Sequence, residues 1–311
     1  MSVGTATDQV APPQAPPRAG LTDRARSERR LAYMLVAPAV IVMVAVAAYP
    51  IINAFVLSLQ RSDLRFPAKT KFIGLANYGH VLGSSVWWSD FAHTVIITVI
   101  SVSIELTLGM LLALAMHRTI FVRGLTRAIG LIPYGIVTVV AAFSWLYAWQ
   151  AASGWIPGLL GLKTDPTTTT LGSYAIILIA EIWKNTPFMA LLLLGGLALV
   201  PDELQEAARV DGASTWQRFW RITIPLMKPA ILVALLFRTL DAFRIFDVIF
   251  IVNQGANNTE SVSILGYNTL LDRLNLGLGS AVSVLIFVCV VIIAFVYIRL
   301  FGAAVPGSEN L

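Results

Sequence analysis

Residues 206–230 read EAARVDGASTWQRFWRITIPLMKPA, a polar and charged stretch that stands between two long apolar runs. Within it, small and apolar side chains recur at spacings of three or four: Ala207, Val210, Ala213 (or Ser214) and Trp216. Charged side chains take the remaining positions, which is the pattern of an amphipathic helix. The pattern predicts one helix over about 205–218, which stops at Pro225 and Pro229 because proline lacks a backbone donor.

Apolar runs dominate the rest of the chain. Of its 311 residues, 57% are apolar and 13% are charged, which is less charge than soluble domains carry. A membrane-spanning helix needs about 20 apolar residues. Six stretches meet that need: about 31–59, 91–116, 125–149, 171–200, 229–252 and 280–302. The first is longer than a straight span requires and contains Pro50, so we expect tilt, a kink or an extension beyond the membrane.

The ends of the chain are polar. Residues 1–30 contain APPQAPPR and a basic segment, and they are predicted to form a disordered tail. The first apolar run starts too late and is too long for a cleaved signal peptide. Residues 303–311 form a second short tail. With the N-terminus inside, thirteen Lys and Arg residues lie on the cytoplasmic side and six outside, so both termini are predicted to be cytoplasmic.

Signatures of enzymes and metal sites are absent from the sequence. His80, His93 and His117 are scattered, and Cys289 is the only cysteine. Neither an H-E-x-x-H pattern nor a G-x-S-x-G elbow occurs. A P-loop is also missing, so if the chain takes part in an ATP-driven process, the nucleotide binds to a partner. Secondary transporters tend to show two related halves, and no clear internal repeat appears in this sequence. An ion-coupled carrier or channel is therefore kept only as the weaker alternative for the function of the chain.

Ionisable side chains occur inside three of the apolar runs, where charges are expensive and often functional. They are Glu105, the pair Glu181 and Lys184, and the series Arg238, Asp241, Arg244 and Asp247. Neighbours three apart share a helix face, so they either neutralise each other, bind another subunit or line a polar path. Four such residues drift around a helix and cannot all face one cavity. For Glu105 we expect a helix–helix hydrogen bond.

The succession E-A-A, D-G-A and I-x-I-P in residues 206–225 resembles the EAA loop of ABC-importer permeases. This resemblance implies a cytoplasmic helix that docks into a groove of the ATPase subunit. The residues that it nominates for ATPase coupling are Glu206, Ala207, Ala208, Asp211, Gly212, Ala213, Trp216, Phe219 and Pro225.

From Leu31 to Phe301 the chain resembles carbohydrate-type permeases of the maltose-permease group. Residues 183–188, WKNTPF, match the W-x-x-x-P stretch of that family, and residues 131–134, LIPY, match its P-Y stretch. In relatives that hold sugar within the membrane, these stretches and the helix after the EAA loop line the site. The sugar-binding residues implied are Tyr134, Thr138, Glu181, Trp183, Lys184, Asn185, Phe188, Arg238, Asp241 and Ala242.

The resemblance also implies the fold and the partners. The fold is all-α, with six transmembrane helices of the type I ABC-importer permease. The expected partners are a second homologous permease, a homodimeric ATPase that holds ATP and Mg, an extracytoplasmic sugar-binding lipoprotein and membrane lipid, but no nucleic acid. Runs such as LLFRTLDAFRIFD resemble trehalose-importer permeases of actinobacteria, so the implied cargo of this plasma-membrane protein is a disaccharide, trehalose. Another sugar or glycerol phosphate stays open, as does the subunit that holds it.

Overall fold

Long helices dominate the computed structural model, which describes residues 23–118, 123–162 and 164–301. The α-helices are α1 (Asp23–Ser58), α2 (Ala76–Leu82), α3 (Ser85–Arg118), α4 (Arg123–Gly135), α5 (Thr138–Trp149), α6 (Trp155–Leu160), α7 (Thr170–Leu197), α8 (Asp202–Val210), α9 (Thr215–Arg218), α10 (Ile224–Ala242), α11 (Asp247–Asn253), α12 (Val262–Tyr267) and α13 (Leu276–Phe301). Strands β1 (Gln60–Arg61) and β2 (Lys71–Phe72) form one antiparallel pair, in which Gln60 opposes Phe72. The predicted all-α class is confirmed.

Within the described residues, five helices are long and apolar enough to cross a membrane. They are Arg30–Ser58, Ser85–His117, Thr170–Leu197, Thr215–Ala242 and Leu276–Arg299. A sixth span results if Ala128–Gly135 and Thr138–Trp149, which are bent by 93° at a short break, count as one. The apolar spans predicted from composition are therefore present, but one of them is sharply broken.

The first helix starts at Asp23, so residues 23–30 are helical and the prediction of a disordered tail is wrong for them. This segment contains Ala, Glu and several Arg, which have high helix propensity. The rest of both predicted tails, residues 1–22 and 302–311, lies outside the described residues. Helix α1 up to Asn53 forms one unit, and the residues from Ala54 onward form a second, compact unit.

The predicted span 229–252 is wrong at both ends. The helix begins at Thr215 and stops at Ala242, and the chain turns through residues 243–246 before α11 begins. The amides of Arg244 and Ile245 donate to the carbonyls of Asp241 and Ala242, which are tight i→i−3 bonds. Residues 243–252 are as apolar as a span, and composition alone therefore missed the turn.

Helices α3, α7 and α10 pack against one another at the centre of the second unit. Glycines allow the close approach. A Cβ atom on Gly109 would lie 2.8 Å from Cγ of Met189, and one on Gly196 would overlap Cβ of Ala230. Small residues at such contacts bring helices together where lipid supplies no hydrophobic drive. These three helices therefore form a tight frame around the charged residues they carry.

Adjacent glycines in α7 test this packing. Gly196→Val should destabilise the protein by about 1–3 kcal/mol, since the added methyl groups overlap Ala230 on α10. Gly195→Val is the matched control, because the surroundings of Gly195 are open. Thermal unfolding of the detergent-solubilised protein measures both. An equal loss at the two positions would contradict the close contact between α7 and α10.

Candidate functional site

Two interruptions of the helical spans face the same cavity. One is the break between α4 and α5, before Thr138, and the other is the turn at residues 243–246 between α10 and α11. The cavity has a volume of about 140 Å³. It is lined by Thr138, Glu181, Lys184, Asn185, Asp241, Arg244, Ile245, Phe246, Asp247 and Val248. Irregular backbone at membrane depth is tolerated where it lines a cavity or is buried in protein, so the breaks mark a polar path.

Helix α7 contributes one wall of the cavity near the middle of its 28 residues. The spacing of Glu181, Lys184 and Asn185 places all three on one helix face. The side-chain amide of Asn185 donates to the carbonyl oxygen of Glu181 at 3.0 Å and to its carboxylate at 3.0 Å. The ammonium of Lys184 lies 5.4 Å from the ring centroid of Tyr134. Within the described residues Lys184 has no salt bridge, so its charge remains available to a ligand.

Behind this wall, Arg238 on α10 joins three helices through carboxylates. Its Nε lies 2.5 Å from one oxygen of Glu105 on α3, and its Nη2 donates to the other at 3.0 Å. Nη2 also donates to Glu181 on α7 at 2.6 Å, and Nη1 donates to Asp241 at 2.8 Å. The predicted helix–helix hydrogen bond of Glu105 is confirmed. Glu181 pairs with Arg238 and not with Lys184, which removes simple Glu181–Lys184 neutralisation as an interpretation.

The burial of these groups differs sharply across the cluster. The side chains of Arg238 and Glu105 are 0% exposed, whereas that of Asp241 is 63% exposed. A buried ion pair pays a large desolvation penalty, and removal of one partner leaves an uncompensated charge that is strongly destabilising. The cluster is therefore a fixed internal structure with one open edge, at Asp241.

Five of the ten residues predicted to bind sugar line the cavity: Thr138, Glu181, Lys184, Asn185 and Asp241. The other five do not appear among its described lining residues. Arg238 and Ala242 are buried in this structure and lie outside the described lining. The aromatic residues pair with each other instead. The ring centroid of Tyr134 stacks 5.3 Å from that of Phe188, and Trp183 meets the edge of Trp145 at 5.8 Å.

Lining residues from the turn after α10 escaped the sequence prediction of the site. They are Arg244, Ile245, Phe246, Asp247 and Val248. Arg244 and Asp247 were noted as charges in a continuous helix, where they would spiral away from Asp241. Two charges so close together in an apolar run are a signal of a break, because lipid-facing charges are costly and irregular backbone needs a polar cavity. Arg238 alone of the four charges is absent from the described lining, because its guanidinium donates to Glu105 and Glu181.

A second candidate site is the segment 202–223, which carries the EAA-like residues. The predicted single helix over 205–218 is wrong, since α8 ends at Val210 and α9 begins at Thr215. Between them Gly212 has a φ of +80°, and Ser214 and Gln217 form a capping box that starts α9. The sequence S-T-W-Q already contains that capping signal.

The predicted stop at Pro225 and Pro229 is also wrong, because the helix continues through both prolines. A π-helical turn at Phe219–Thr223 joins α9 to α10, and Pro225 stands in the first turn of α10. Proline is tolerated in a first turn, and a π turn rearranges the hydrogen bonds that proline would break. The segment and the fifth span therefore form one nearly continuous rod from Thr215 to Ala242.

Apolar side chains are exposed along this segment. Val210 is 88% exposed and Trp216 69%, and Trp216 stacks on Phe219 with centroids 6.1 Å apart. Exposed apolar groups set among polar ones are typical of a protein interface. Of the other predicted coupling residues, Glu206, Ala207, Asp211, Gly212 and Pro225 are exposed, while Ala208 and Ala213 are half-buried.

Two side-chain contacts tie α8 to the base of the fifth span. The side-chain amide of Gln205 donates to the hydroxyl of Thr223 at 3.1 Å, and Nη1 of Arg218 donates to the carbonyl of Gln205 at 3.4 Å. These contacts link α8 to the rod whose other end lies at the cavity.

Known proteins are similar to this chain in sequence and in architecture. The family described as binding-protein-dependent transport system inner membrane component matches residues 79–306. The chain is 59% identical to the trehalose transport system permease protein SugA of Mycobacterium tuberculosis, over 91% of this chain and 92% of that one. It is 38% identical to the trehalose/maltose transport system permease protein MalF of Thermococcus litoralis, over 88% and 94%. A bacterial ABC transporter involved in the import of alginate shares the fold, with a TM-score of 0.77, 21% identity and coverage of 89% and 96%.

Proposed function

The chain belongs to the family of binding-protein-dependent transport system inner membrane components, and on that premise we propose that it moves trehalose into the cell as one permease subunit of an ATP-driven importer. The observation that carries the choice of cargo is the 59% identity to a trehalose permease over nearly the full length of both chains. As a permease subunit with several apolar spans, the chain is a membrane protein.

The chemistry of the cavity supports a neutral, hydroxyl-rich cargo. Lys184 and Arg244 supply donors, Asp241 and Asp247 supply acceptors, and Thr138 supplies a hydroxyl that does both. Sugar hydroxyls pair with groups of either kind. A phosphate group instead favours converging cations without competing carboxylates. The mixed charges of the lining therefore favour a disaccharide over glycerol phosphate.

The size of the cavity supports a site shared between two subunits. At about 140 Å³ it is smaller than ligand pockets of about 300–1,000 Å³. We propose that this chain supplies one wall and that a second, homologous permease supplies the other. Tyr134 and Trp183 are partly exposed beside the Lys184 wall and would offer aromatic faces to the sugar as the path opens.

The free energy of ATP binding and hydrolysis would be transmitted to this chain through residues 202–223. A homodimeric ATPase, which holds ATP and Mg, would dock on the exposed face that contains Val210 and Trp216. Its closure on ATP would push α8, whose contacts to Arg218 and Thr223 pass the motion to the rod Thr215–Ala242. The rod extends about 40 Å at 1.5 Å per residue and ends at the cavity. The movement would thus switch the cavity between inward-facing and outward-facing forms.

The orientation and outer partner complete the proposal. With both termini in the cytoplasm, the segment 202–223 faces the ATPase and the loop 60–72 faces outward. This orientation follows the excess of Lys and Arg in the inner segments. A sugar-binding lipoprotein would deliver trehalose to the outer face of the plasma membrane.

Reconstitution tests the proposed function. The chain, its partner permease, the ATPase and the binding protein are placed in liposomes, and ATP-dependent uptake of trehalose, maltose and glycerol 3-phosphate is measured. Trehalose is expected to be taken up and to stimulate ATP hydrolysis. Uptake of another cargo without trehalose would discard the substrate, and uptake that needs no ATP would overturn the importer in favour of an ion-coupled carrier.

The cavity residues yield a direct prediction. Asp247→Asn and Lys184→Gln should each lower trehalose uptake about tenfold, since each removes a charged hydrogen-bond partner of the sugar. The matched control is Asp272→Asn, which neutralises an exposed carboxylate outside the described lining. Uptake is measured at equal amounts of assembled complex. Unchanged uptake in both cavity variants would place the sugar path in the partner permease.

Gly212 yields a second prediction, for coupling. Its φ of +80° is strained for a β-branched residue but tolerated by asparagine, and the space around it is open. Gly212→Val should therefore reduce trehalose-stimulated ATP hydrolysis much more than Gly212→Asn, which is its control. Equal activities of the two variants would show that the turn conformation between α8 and α9 has no part in coupling.

A further inference from the structure

Arg238 occupies a position that substrate contact does not explain. Its side chain is 0% exposed, and the described cavity lining does not include it. Yet two of the three carboxylates that it binds, Glu181 and Asp241, are lining residues. A guanidinium held this close to the cavity, but closed off from it, acts on a ligand only through those two neighbours.

The hydrogen bonds of Arg238 are divided between a rear side and a cavity side. Glu105 receives two of them, from Nε and Nη2, and is itself completely buried. Glu181 and Asp241 receive one each, from Nη2 and Nη1. Four bonds occupy a planar group with five donors, which fixes its orientation. Lysine cannot reproduce this geometry, because its ammonium is a single point of charge.

Asp241 is the member of the cluster that is open to a ligand. One of its oxygens accepts from Arg238, and within the described residues its Oδ1 accepts no hydrogen bond. Its side chain is 63% exposed and lies at the C-terminal end of α10, beside the turn. Without Arg238 this carboxylate would sample several rotamers. A group already held in place loses less entropy when a ligand binds.

We propose that Arg238 is a positioning residue, which holds Asp241 and Glu181 in place for trehalose hydroxyls while Glu105 anchors the guanidinium from behind. This inference rests on the proposed function, because it assigns a role to residues that lie behind the lining of the same cavity. The free oxygen of Asp241 accepts a sugar hydroxyl, and the orientation of that oxygen is set by a pair, Arg238 and Glu105, that the sugar never touches.

The test uses the reconstituted importer and a double-mutant cycle. Arg238→Met alone would leave the completely buried Glu105 without its counter-ion, so the informative variant is Glu105→Leu with Arg238→Met, which replaces that buried pair by apolar side chains. Glu181 then keeps the hydrogen bond from the side-chain amide of Asn185 and its place in the cavity lining. Assembly and basal ATP hydrolysis of this variant are measured first, and uptake is compared at equal amounts of assembled importer. Its trehalose concentration for half-maximal uptake should rise about tenfold, the effect of one lost charged hydrogen bond.

Asp241→Asn should raise the trehalose concentration for half-maximal uptake by a similar factor. If Arg238 acts through Asp241, combining all three changes should add little to the effect of Asp241→Asn. Thr239→Val is the matched control on the same helix. It removes a hydroxyl that is 3.1 Å from Tyr297 and should leave uptake unchanged.

Additive losses, or wild-type uptake in the Glu105→Leu, Arg238→Met variant, would overturn the positioning role. If that variant does not assemble, Arg238→Lys decides, since it keeps the charge but loses the fork: wild-type half-maximal uptake would overturn the role, and a tenfold rise would support it. A normal response in Asp241→Asn, by contrast, would count against the cavity as the sugar path and so against the proposed site.

Discussion

The ion cluster around Arg238 joins three helices of the second unit to one another and to the cavity. It binds α3, α7 and α10 together at the depth of the middle of α7, where water is excluded and an unpaired charge would be severely destabilising. Glycine contacts at Gly109 and Gly196 bring the same helices close enough for the cluster to form. Its geometry then determines which carboxylates remain for the cavity.

Both helix breaks lie at the cavity because unpaired backbone groups are costly inside a membrane. A backbone that leaves its helix inside the membrane needs partners for its amides and carbonyls, and a polar cavity at a helix junction provides an environment for them. The break before Thr138 and the turn at residues 243–246 meet at such a cavity. One end of the rod Thr215–Ala242 carries the exposed segment of residues 202–223, and the other end forms a wall of the cavity. In the proposed function, this single element joins the energy input to the transport path.

Much of this arrangement could be predicted from the sequence. Runs of apolar residues located the spans, since the length of a span is fixed by the bilayer, and an isolated Glu105 at membrane depth indicated a buried partner. The EAA-like residues indicated residues 202–223 as the segment proposed here for coupling. The sequence did not predict the breaks inside the spans. Hydropathy runs straight through residues 243–252 and 125–149, so it cannot register a turn or a bend of 93°.

The site was harder to predict for a related reason. Arg238, Asp241, Arg244 and Asp247 were read on one continuous helix, where their directions are fixed by the helical repeat. The turn re-aims Arg244 and Asp247 toward Asp241, and long-range pairing with Glu105 and Glu181 withdraws Arg238 from the cavity. Both effects depend on residues far away in the chain. In residues 202–223, the sequence S-T-W-Q contains a recognisable capping box. The amphipathic pattern nevertheless led to the prediction of a single helix.

The central claim is that the helix breaks enclose the path of the sugar. Its most direct test is protection of a thiol placed in the cavity by Thr138→Cys, with Cys289→Ser removing the one native cysteine of the chain. The rate of reaction with a small maleimide is measured in the reconstituted importer, with and without saturating trehalose and binding protein. Trehalose is expected to slow the reaction, and glycerol 3-phosphate is expected to leave its rate unchanged. An identical rate with and without trehalose, in a complex that still transports trehalose, would contradict the central claim.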